Sequence, residues 1–490
     1  MLSHGNHAGI GQTWVLAMSR DSSIGIESSM TPASGDTHAR TFLAAMTGRS
    51  GSERATGSDV SFCGSGSLPS VFPVSDFAAA AVGAAGLAVA DFVTAALGAR
   101  PHVQVDRRLA SLWFGSSLRP IDWTLPALWD PIAGDYATAD GWIRLHTNAL
   151  HHRAAAVSVL GVAADRPAIV AAVARWKAQD LETAIVGNKG CAAAMRSLSE
   201  WQTHPQGLAV RREPLIDART TDDLAQPVSA ATYDRPLRGV RVLDLPRVLA
   251  GPVATRFLAG LGADVLRIDP PTWDDPGVIP DVTLGKRCAR LDLRDAEDRA
   301  RLIELLSRAD VLVHGYRSDA LENLGLGTVL RRETRPGLVD IALNAYGWTG
   351  PWRHRRGFDS LVQMSVGIAD AGMRALGRDR PTPLPVQALD HATGYLLAAA
   401  AVRGLRERLE TGRGFEGRIS LAGVAALLVG APVAETAGDL GTAGEADWSD
   451  TNEATDFGMA RRLRPPLFIG TAPLQWDRPA SRLGSAAPMW

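Results

Sequence analysis

From residue 237 to residue 433, short aliphatic runs alternate with amphipathic stretches, and this alternation restricts the chain to one fold class. Residues 240–245, 265–268, 311–313 and 338–343 are too short for helices and lack a polar face, as strands buried on both sides do. Between them, residues 253–261 read as a helix stopped by Gly262. Residues 295–308 place apolar side chains at helical spacing behind Asp295, a residue suited to capping the first turn. Strands and helices alternating at this spacing predict βαβ units, and so an α/β fold with a Rossmann-like, doubly wound parallel sheet.

Residues 63–215 have a different texture and are expected to form a smaller α+β region. They include an apolar stretch, 77–99, dominated by Ala and Gly and interrupted by Asp91. Alanine is weakly apolar and Asp91 would be costly at bilayer depth, so a close-packed internal helix is expected and no membrane partner. Residues 136–146 read as a turn entering a strand, and 168–178 and 181–186 as helices. The polar residues 216–236 are expected to be a linker. Residues 1–62 and 434–490 show no sustained period and are expected to be a disordered extension and a flexible tail. A faint repeat lays Asp76 over Asp390, each heading an Ala-rich helix, and then Gln104-Val-Asp-Arg107 over Arg418-Ile-Ser-Leu421.

With 51 Lys and Arg against 52 Asp and Glu, the net charge is −1. No global field recruits nucleic acid or an anionic membrane. Cys63, Cys191 and Cys288 are odd in number and far apart, arguing against a disulfide framework and a zinc site and for a reducing cytoplasm. The first residues, Met1 to Asn6, lack a basic stretch followed by an apolar run, so no secretory signal is read there. His151 and His152, near His146, are adjacent and point in different directions, which argues against a metal site.

The chemistry points to Asp390. It follows a Pro-rich loop (Pro381, Pro383, Pro385) and precedes a helical run through Tyr395, Leu396, Ala399 and Val402. An Asp there is either an N-cap or a nucleophile presented at a helix N-terminus, and the local pattern alone favours the cap. A nicotinamide or flavin cofactor is not expected. After Leu245 the loop carries one glycine, Gly251, where the dinucleotide fingerprint needs three, and Gly260 and Gly262 fall at a helix end. Neither a GxxxxGK[ST] loop nor a GxSxG elbow occurs.

Six ordered blocks carry a specific likeness. Leu237-Arg-Gly-Val-Arg-Val-Leu-Asp-Leu-Pro-Arg-Val-Leu-Ala-Gly-Pro252 resembles the opening strand and loop of the family III CoA-transferases, the group containing formyl-CoA transferase and carnitine CoA-transferase. Leu261-Gly-Ala-Asp-Val-Leu-Arg-Ile-Asp269, Gly285-Lys-Arg-Cys-Ala-Arg-Leu-Asp-Leu293 and Ala309-Asp-Val-Leu-Val-His-Gly-Tyr-Arg317 are similar to the next three blocks. Tyr346-Gly-Trp-Thr-Gly-Pro351 and Gly357-Phe-Asp-Ser-Leu-Val-Gln363 complete the series. Ala139-Asp-Gly-Trp-Ile-Arg-Leu145 and Glu200-Trp-Gln-Thr-His-Pro-Gln206 resemble pieces of the family's small domain, which normally follows the aspartate helix but here precedes the sheet.

The resemblance implies transfer of coenzyme A between an acyl-CoA and a carboxylic acid, with Asp390 as the catalytic nucleophile. Its neighbour His391 could assist, but as a first-turn polar residue it reads as structural. It implies no tightly bound cofactor, because one thioester is exchanged for another. By position in the matching blocks, Arg247, Ala250, Lys286, Arg287, Gly315, Tyr316, Arg317 and Arg356 are the candidates for binding CoA, whose phosphates call for cations and helix N-termini. Arg353, Arg355, Arg374, Arg378 and Arg380 read as solvated surface. Family members form interlocked homodimers, so a homodimer is expected. Racemases of the same fold use a His where this chain has Phe358, which disfavours proton chemistry. A degenerate CoA-binding paralogue is the remaining alternative, suggested by the rearranged order and by Gly315 and Ser318 where the family has Asn and Pro.

Overall fold

The computed structural model describes residues 34–48, 59–224, 230–245, 248–317, 319–431, 439–470 and 472–490. The chain opens with α1 (Ser34–Thr47), β1 (Val60–Cys63), α2 (Val74–Leu97), β2 (Val103–Asp106), α3 (Arg107–Trp113) and β3 (Leu118–Pro120). A compact α+β region follows. Strands β4 (Gly134–Ala137), β5 (Trp142–Leu145) and β6 (Ala192–Ala194) make an antiparallel sheet, and α4 (Leu150–Leu160), α5 (Arg166–Val173) and α6 (Ala178–Gly187) pack with it. Its own core gathers Ile132, Tyr136, Ile143, Leu145, Ile169 and Leu181. Short helices α7 (Leu198–Thr203) and α8 (Pro205–Val210) lead to β7 (Asp217–Leu224).

The α/β domain then runs β8 (Arg241–Asp244), α9 (Ala250–Gly260), β9 (Asp264–Asp269), α10 (Ile279–Val282), β10 (Lys286–Arg290), α11 (Ala296–Leu306) and β11 (Val311–His314). It continues through α12 (Ala320–Asn323), α13 (Thr328–Thr334), β12 (Val339–Asn344), α14 (Asp359–Ser365), α15 (Ile368–Ala375), α16 (Ala388–Thr411), β13 (Arg413–Ser420) and α17 (Leu421–Val429). The large sheet has the order β10-β9-β8-β11-β12-β13-β7, parallel except for the last pair. Successive side chains face opposite sides of it. Val242, Val265, Val311 and Ile341 join the core shared with α9 and α16, while Leu243, Leu266 and Leu312 join Leu302, Leu305 and Leu306 of α11. Helices therefore cover both faces, the doubly wound arrangement expected from the alternation. Asp295 caps α11 through its carboxylate, which accepts from the backbone N–H groups of Glu297 and Asp298.

Several expectations need correction. The supposed linker contains β7, an edge strand whose polar side chains are mostly half-exposed or exposed and whose backbone pairs with β13. Only the partner strand stabilises such a segment, so no apolar period marks it. The end of the chain is no loose tail over its described residues: β14 (Trp448–Thr455) and β15 (Gly458–Leu463) form a hairpin against β3, and β16 (Leu467–Ile469), paired with β17 (Ala472–Pro473), adds to β2. Tryptophans anchor it. Trp476 stacks on Trp113 with ring centroids 5.6 Å apart, and the Trp490 indole donates to the Leu305 carbonyl at 2.8 Å. Within the supposed N-terminal extension, α1 packs on α2 through Phe42, Leu43 and Met46. The expectation of disorder for residues 1–33 and 49–58 lies outside the described residues.

Helix α2 is long and apolar enough to cross a bilayer, yet here it lies inside the protein, packed against α1, α3 and α16. Its likeness to α16 extends beyond sequence. Both helices have 24 residues, with Asp76 and Asp390 in third position. The residues before them, Pro73 and Gln387, share one backbone conformation (φ −75°, ψ 63° and φ −76°, ψ 62°). Both end at a left-handed glycine, Gly98 and Gly412, and both lead into a strand whose last residue, Asp106 or Ser420, caps the next helix. In the first copy Asp76 is closed off. The Arg107 Nε donates to its carboxylate at 2.7 Å, while the two Nη groups reach the Gly66 carbonyl and the Ser67 hydroxyl.

Phe77 is fully buried at the start of α2 and meets Phe42 of α1 edge-on, centroids 5.0 Å apart. Phe77→Ala should cost about 3–5 kcal/mol of unfolding free energy, the usual range for emptying such a site, in a urea titration followed by tryptophan fluorescence. A loss below about 1 kcal/mol would mean that α1 and α2 are peripheral to the core.

Candidate active site

In an open parallel sheet, ligands bind beyond the carboxyl ends of the strands, where the strand order reverses. Here the order reverses between β8 and β11. A pocket of about 500 Å³ opens there, lined by Leu245 after β8, Gly315, Tyr316 and Arg317 after β11, and Asn344 and Ala345 at the end of β12. Val248, Leu249 and Ala250 at the entry to α9 close one side, and Gly357 and Phe358 before α14 another. Asp390, near the start of α16, lines it, as do His151 and His152 of α4.

One hydrogen bond fixes the Asp390 backbone: its N–H donates to the Asp359 carboxylate at 3.0 Å. The Ala250 N–H lies near the Asp390 carboxylate and favours its charged form. Helix α9 comes so close to α16 at Gly394 that a Cβ there would lie 2.6 Å from the Ala250 carbonyl oxygen. Asp359 is fully buried, and its other oxygen accepts from the Gln363 amide, whose carbonyl takes the Leu384 N–H at 2.7 Å. A short chain of hydrogen bonds thus ties α14 to the loop entering α16.

Burial is the main cause that holds Asp390 well above the ordinary carboxylate range, and the neighbouring Asp359 charge adds to it; the Ala250 N–H opposes both. Burial also raises Asp359. No side-chain cap accompanies the first turn of α16. The Asp390 side chain is therefore not spent as an N-cap. His391 faces elsewhere, stacked on Phe114 with centroids 5.0 Å apart, and burial drives its pKa down to about 3.

The candidates for CoA binding separate into three groups. Ala250, Gly315, Tyr316, Arg317 and Arg356 line the pocket with Asp390. Arg247 lies outside the described residues. Lys286 and Arg287 do not line the pocket. The Lys286 ammonium is buried under the sheet, 2.8 Å from the Asp244 carboxylate and bonded to the Pro252 carbonyl and the Thr255 hydroxyl. Arg287 reaches the Asp264 carboxylate at 2.8 Å and the Met489 carbonyl. Both serve the fold, because β10 turns their side chains toward partners on β8, β9 and the end of the chain.

Arg355 is also not surface. Its guanidinium is bonded to Glu182 of α6 at 2.8 Å and stands 4.0 Å from the Trp352 ring centroid, joining the α+β region to the pocket wall. Sequence reasoning missed Asp359 and the pocket position of His151 and His152. The signal for Asp359 lies in Gly357-Phe-Asp359, directly after Phe358. Among the described residues, no group of three or more His, Cys, Asp or Glu side chains could hold a metal ion.

Residues 237–457 match the model of CoA-transferase family III. The match takes in the large sheet from β8 to β13 and leaves the α+β region outside it. The chain is 34% identical over 200 residues to acetyl-coenzyme A transferase nodX of Hypoxylon pulicicidum, covering 40% of this chain and 34% of that protein. It is 32% identical over 204 residues to the succinyl-CoA:glutarate CoA-transferase of Homo sapiens, covering 39% and 46%. A crystal structure of Rv3272 from Mycobacterium tuberculosis aligns at 30% identity with a TM-score of 0.37, covering 41% of this chain and 56% of that one. The chain spans 34% to 54% of the length of such curated relatives. The family match begins after the α+β region, so His151 and His152 lie outside the matched residues.

Two expectations follow from this geometry. Asp359→Asn keeps an acceptor for the Asp390 N–H but removes the charge that raises the Asp390 pKa. Asp390 should then ionise at lower pH, and the acid limb of a pH–kcat/KM profile should move to lower pH; a shift the other way would exclude Asp359 as its electrostatic neighbour. Lys286→Met strands the buried Asp244 carboxylate and should cost about 3–5 kcal/mol in chemical denaturation, without raising KM for acyl-CoA in the folded protein.

Proposed function

We propose that the protein transfers coenzyme A from an acyl-CoA to a carboxylic acid, with the Asp390 carboxylate as covalent nucleophile. The observation that carries this reading is the placement of Asp390. Among the described residues lining the pocket it is the one carboxylate, set at the switch point of a family III CoA-transferase sheet. The activities named for the relatives, succinyl-CoA:glutarate CoA transfer among them, support the reaction class and leave the acids open.

The chemistry balances without ATP or a redox partner. An oxygen of Asp390 attacks the donor thioester carbon, the C–S bond breaks, and a mixed anhydride and CoA thiolate result. The thiolate attacks the aspartyl carbonyl of that anhydride, releasing the donor acid and leaving an aspartyl–CoA thioester. The acceptor carboxylate attacks this thioester, again expelling the thiolate. Attack of the thiolate on the acceptor carbonyl then returns Asp390 and yields the new acyl-CoA.

The site's own groups suit these steps. A carboxylate is a weak nucleophile in water, and burial strips Asp390 of most of its hydration. The Ala250 N–H meets the carboxyl oxygen and can receive negative charge that develops there. Arg317 and Arg356, at the pocket rim, offer cations for the phosphates of CoA, and Tyr316 a ring beside its adenine or pantetheine. Phe358, stacked on His146 with centroids 3.8 Å apart, offers no proton, which favours transfer over racemisation. A homodimer belongs to the same reading on the family resemblance alone, and a cytoplasmic location is supported by the free thiols of Cys63, Cys191 and Cys288.

The test is to trap the anhydride. Incubation with a panel of acyl-CoAs followed by hydroxylamine should leave a hydroxamate on Asp390, located by peptide mass spectrometry. Asp390→Asn should lower kcat for transfer by more than about 10³-fold while leaving the fold intact. Substantial turnover by this variant, with deamidation excluded, would remove Asp390 from the mechanism.

A further inference from the structure

One wall of the pocket has no part in the steps above. His151 and His152, in the first turn of α4, line the pocket together with Leu249, Phe358 and Asp390. His152 is buried, 4% exposed, and its ring stands edge-on to Phe358 with centroids 5.8 Å apart. His151 packs beside it at 4.1 Å and reaches solvent. Phe358 is followed by Asp359, whose carboxylate holds the Asp390 amide. The imidazoles and the nucleophile therefore belong to one continuous surface.

The charges around the pocket divide unevenly. Arg355 is committed to Glu182, and Arg317 and Arg356 are the pocket cations assigned to the phosphates of CoA. The α4 wall is thus furnished with imidazoles, next to apolar Leu249 and Phe358. That matters at one stage of the reaction. When CoA is joined to Asp390, the nucleophile has lost its charge and the next reactant is a free carboxylate. Such a group is costly to desolvate unless N–H donors meet it, and an imidazole supplies one.

We propose that His151 and His152 bind the carboxylate of the free acid, the donor acid as it leaves and the acceptor as it enters, and orient it toward the aspartyl carbonyl. This assignment rests on the transferase reading. The imidazoles neither gain nor lose a proton over the cycle, since each step exchanges one carboxylate or thiolate for another.

The experiment uses the full chain with His151→Phe, His152→Phe and the double substitution, and His152→Asn as a variant that keeps an N–H donor. Phenylalanine retains the packing on Phe358 and removes the donor. The double variant should raise the acceptor KM by at least about tenfold. The rate of hydroxamate formation at Asp390 from acyl-CoA alone should stay within about twofold, and His152→Asn should recover part of the acceptor KM. An unchanged acceptor KM, or labelling that falls in parallel with transfer, overturns the histidine assignment. So does His152-dependent uptake of deuterium at the α-carbon of the acyl-CoA, which would make the imidazole a base. Absence of any labelling in the unaltered chain overturns the transferase reading, and the histidine assignment with it.

Discussion

Helix α16 is enclosed by α2, by α9 and by the strands β12 and β13, and that enclosure fixes Asp390 in space. A helix buried on nearly every side cannot rely on one apolar stripe. Its small residues must let neighbours come close, as Gly394 does against Ala250 and Gly404 against Val339 and Phe415. Alanine-rich segments also lose little side-chain entropy on burial, so a dense packing of modest contacts is enough to hold them. The result is a carboxylate whose backbone N–H is held by the Asp359 carboxylate of α14 and which faces the start of α9.

The parallel strands were legible because an interior strand declares itself locally: the stretches expected at 240–245, 265–268, 311–313 and 338–343 lie within one or two residues of β8, β9, β11 and β12. The cap at Asp295 was equally local. Partners distant in sequence were not legible. Lys286 reads as a basic residue in a phosphate-binding block until Asp244 is placed against it, and Arg355 reads as surface until Glu182 arrives from α6. Strand β7 and the final strands fail for the same reason, since their hydrogen bonds go to elements that no short window contains.

The α+β region precedes the large sheet in sequence and must be brought to the wall of the pocket. Specific polar ties place it there. The Gln206 amide donates to the carbonyls of Tyr346 and Thr349, the Glu213 carboxylate takes the backbone N–H groups of Trp348 and Thr349, and Arg196 and Arg355 converge on Glu182. These contacts all meet the loop between β12 and α14, the same loop that delivers Phe358 and Asp359. Docking of the α+β region and the shape of the pocket therefore rest on the same loop.

The paired helices α2 and α16 carry a last consequence. In the repeat, Arg107 stands where Leu421 stands in the second copy, and Leu421 lines the pocket. One residue thus separates an aspartate facing a cavity from an aspartate sealed by a guanidinium. The two positions are therefore constrained differently. The Asp390 side chain faces the pocket, whereas Asp76 and Arg107 constrain each other, since loss of either strands a buried charge.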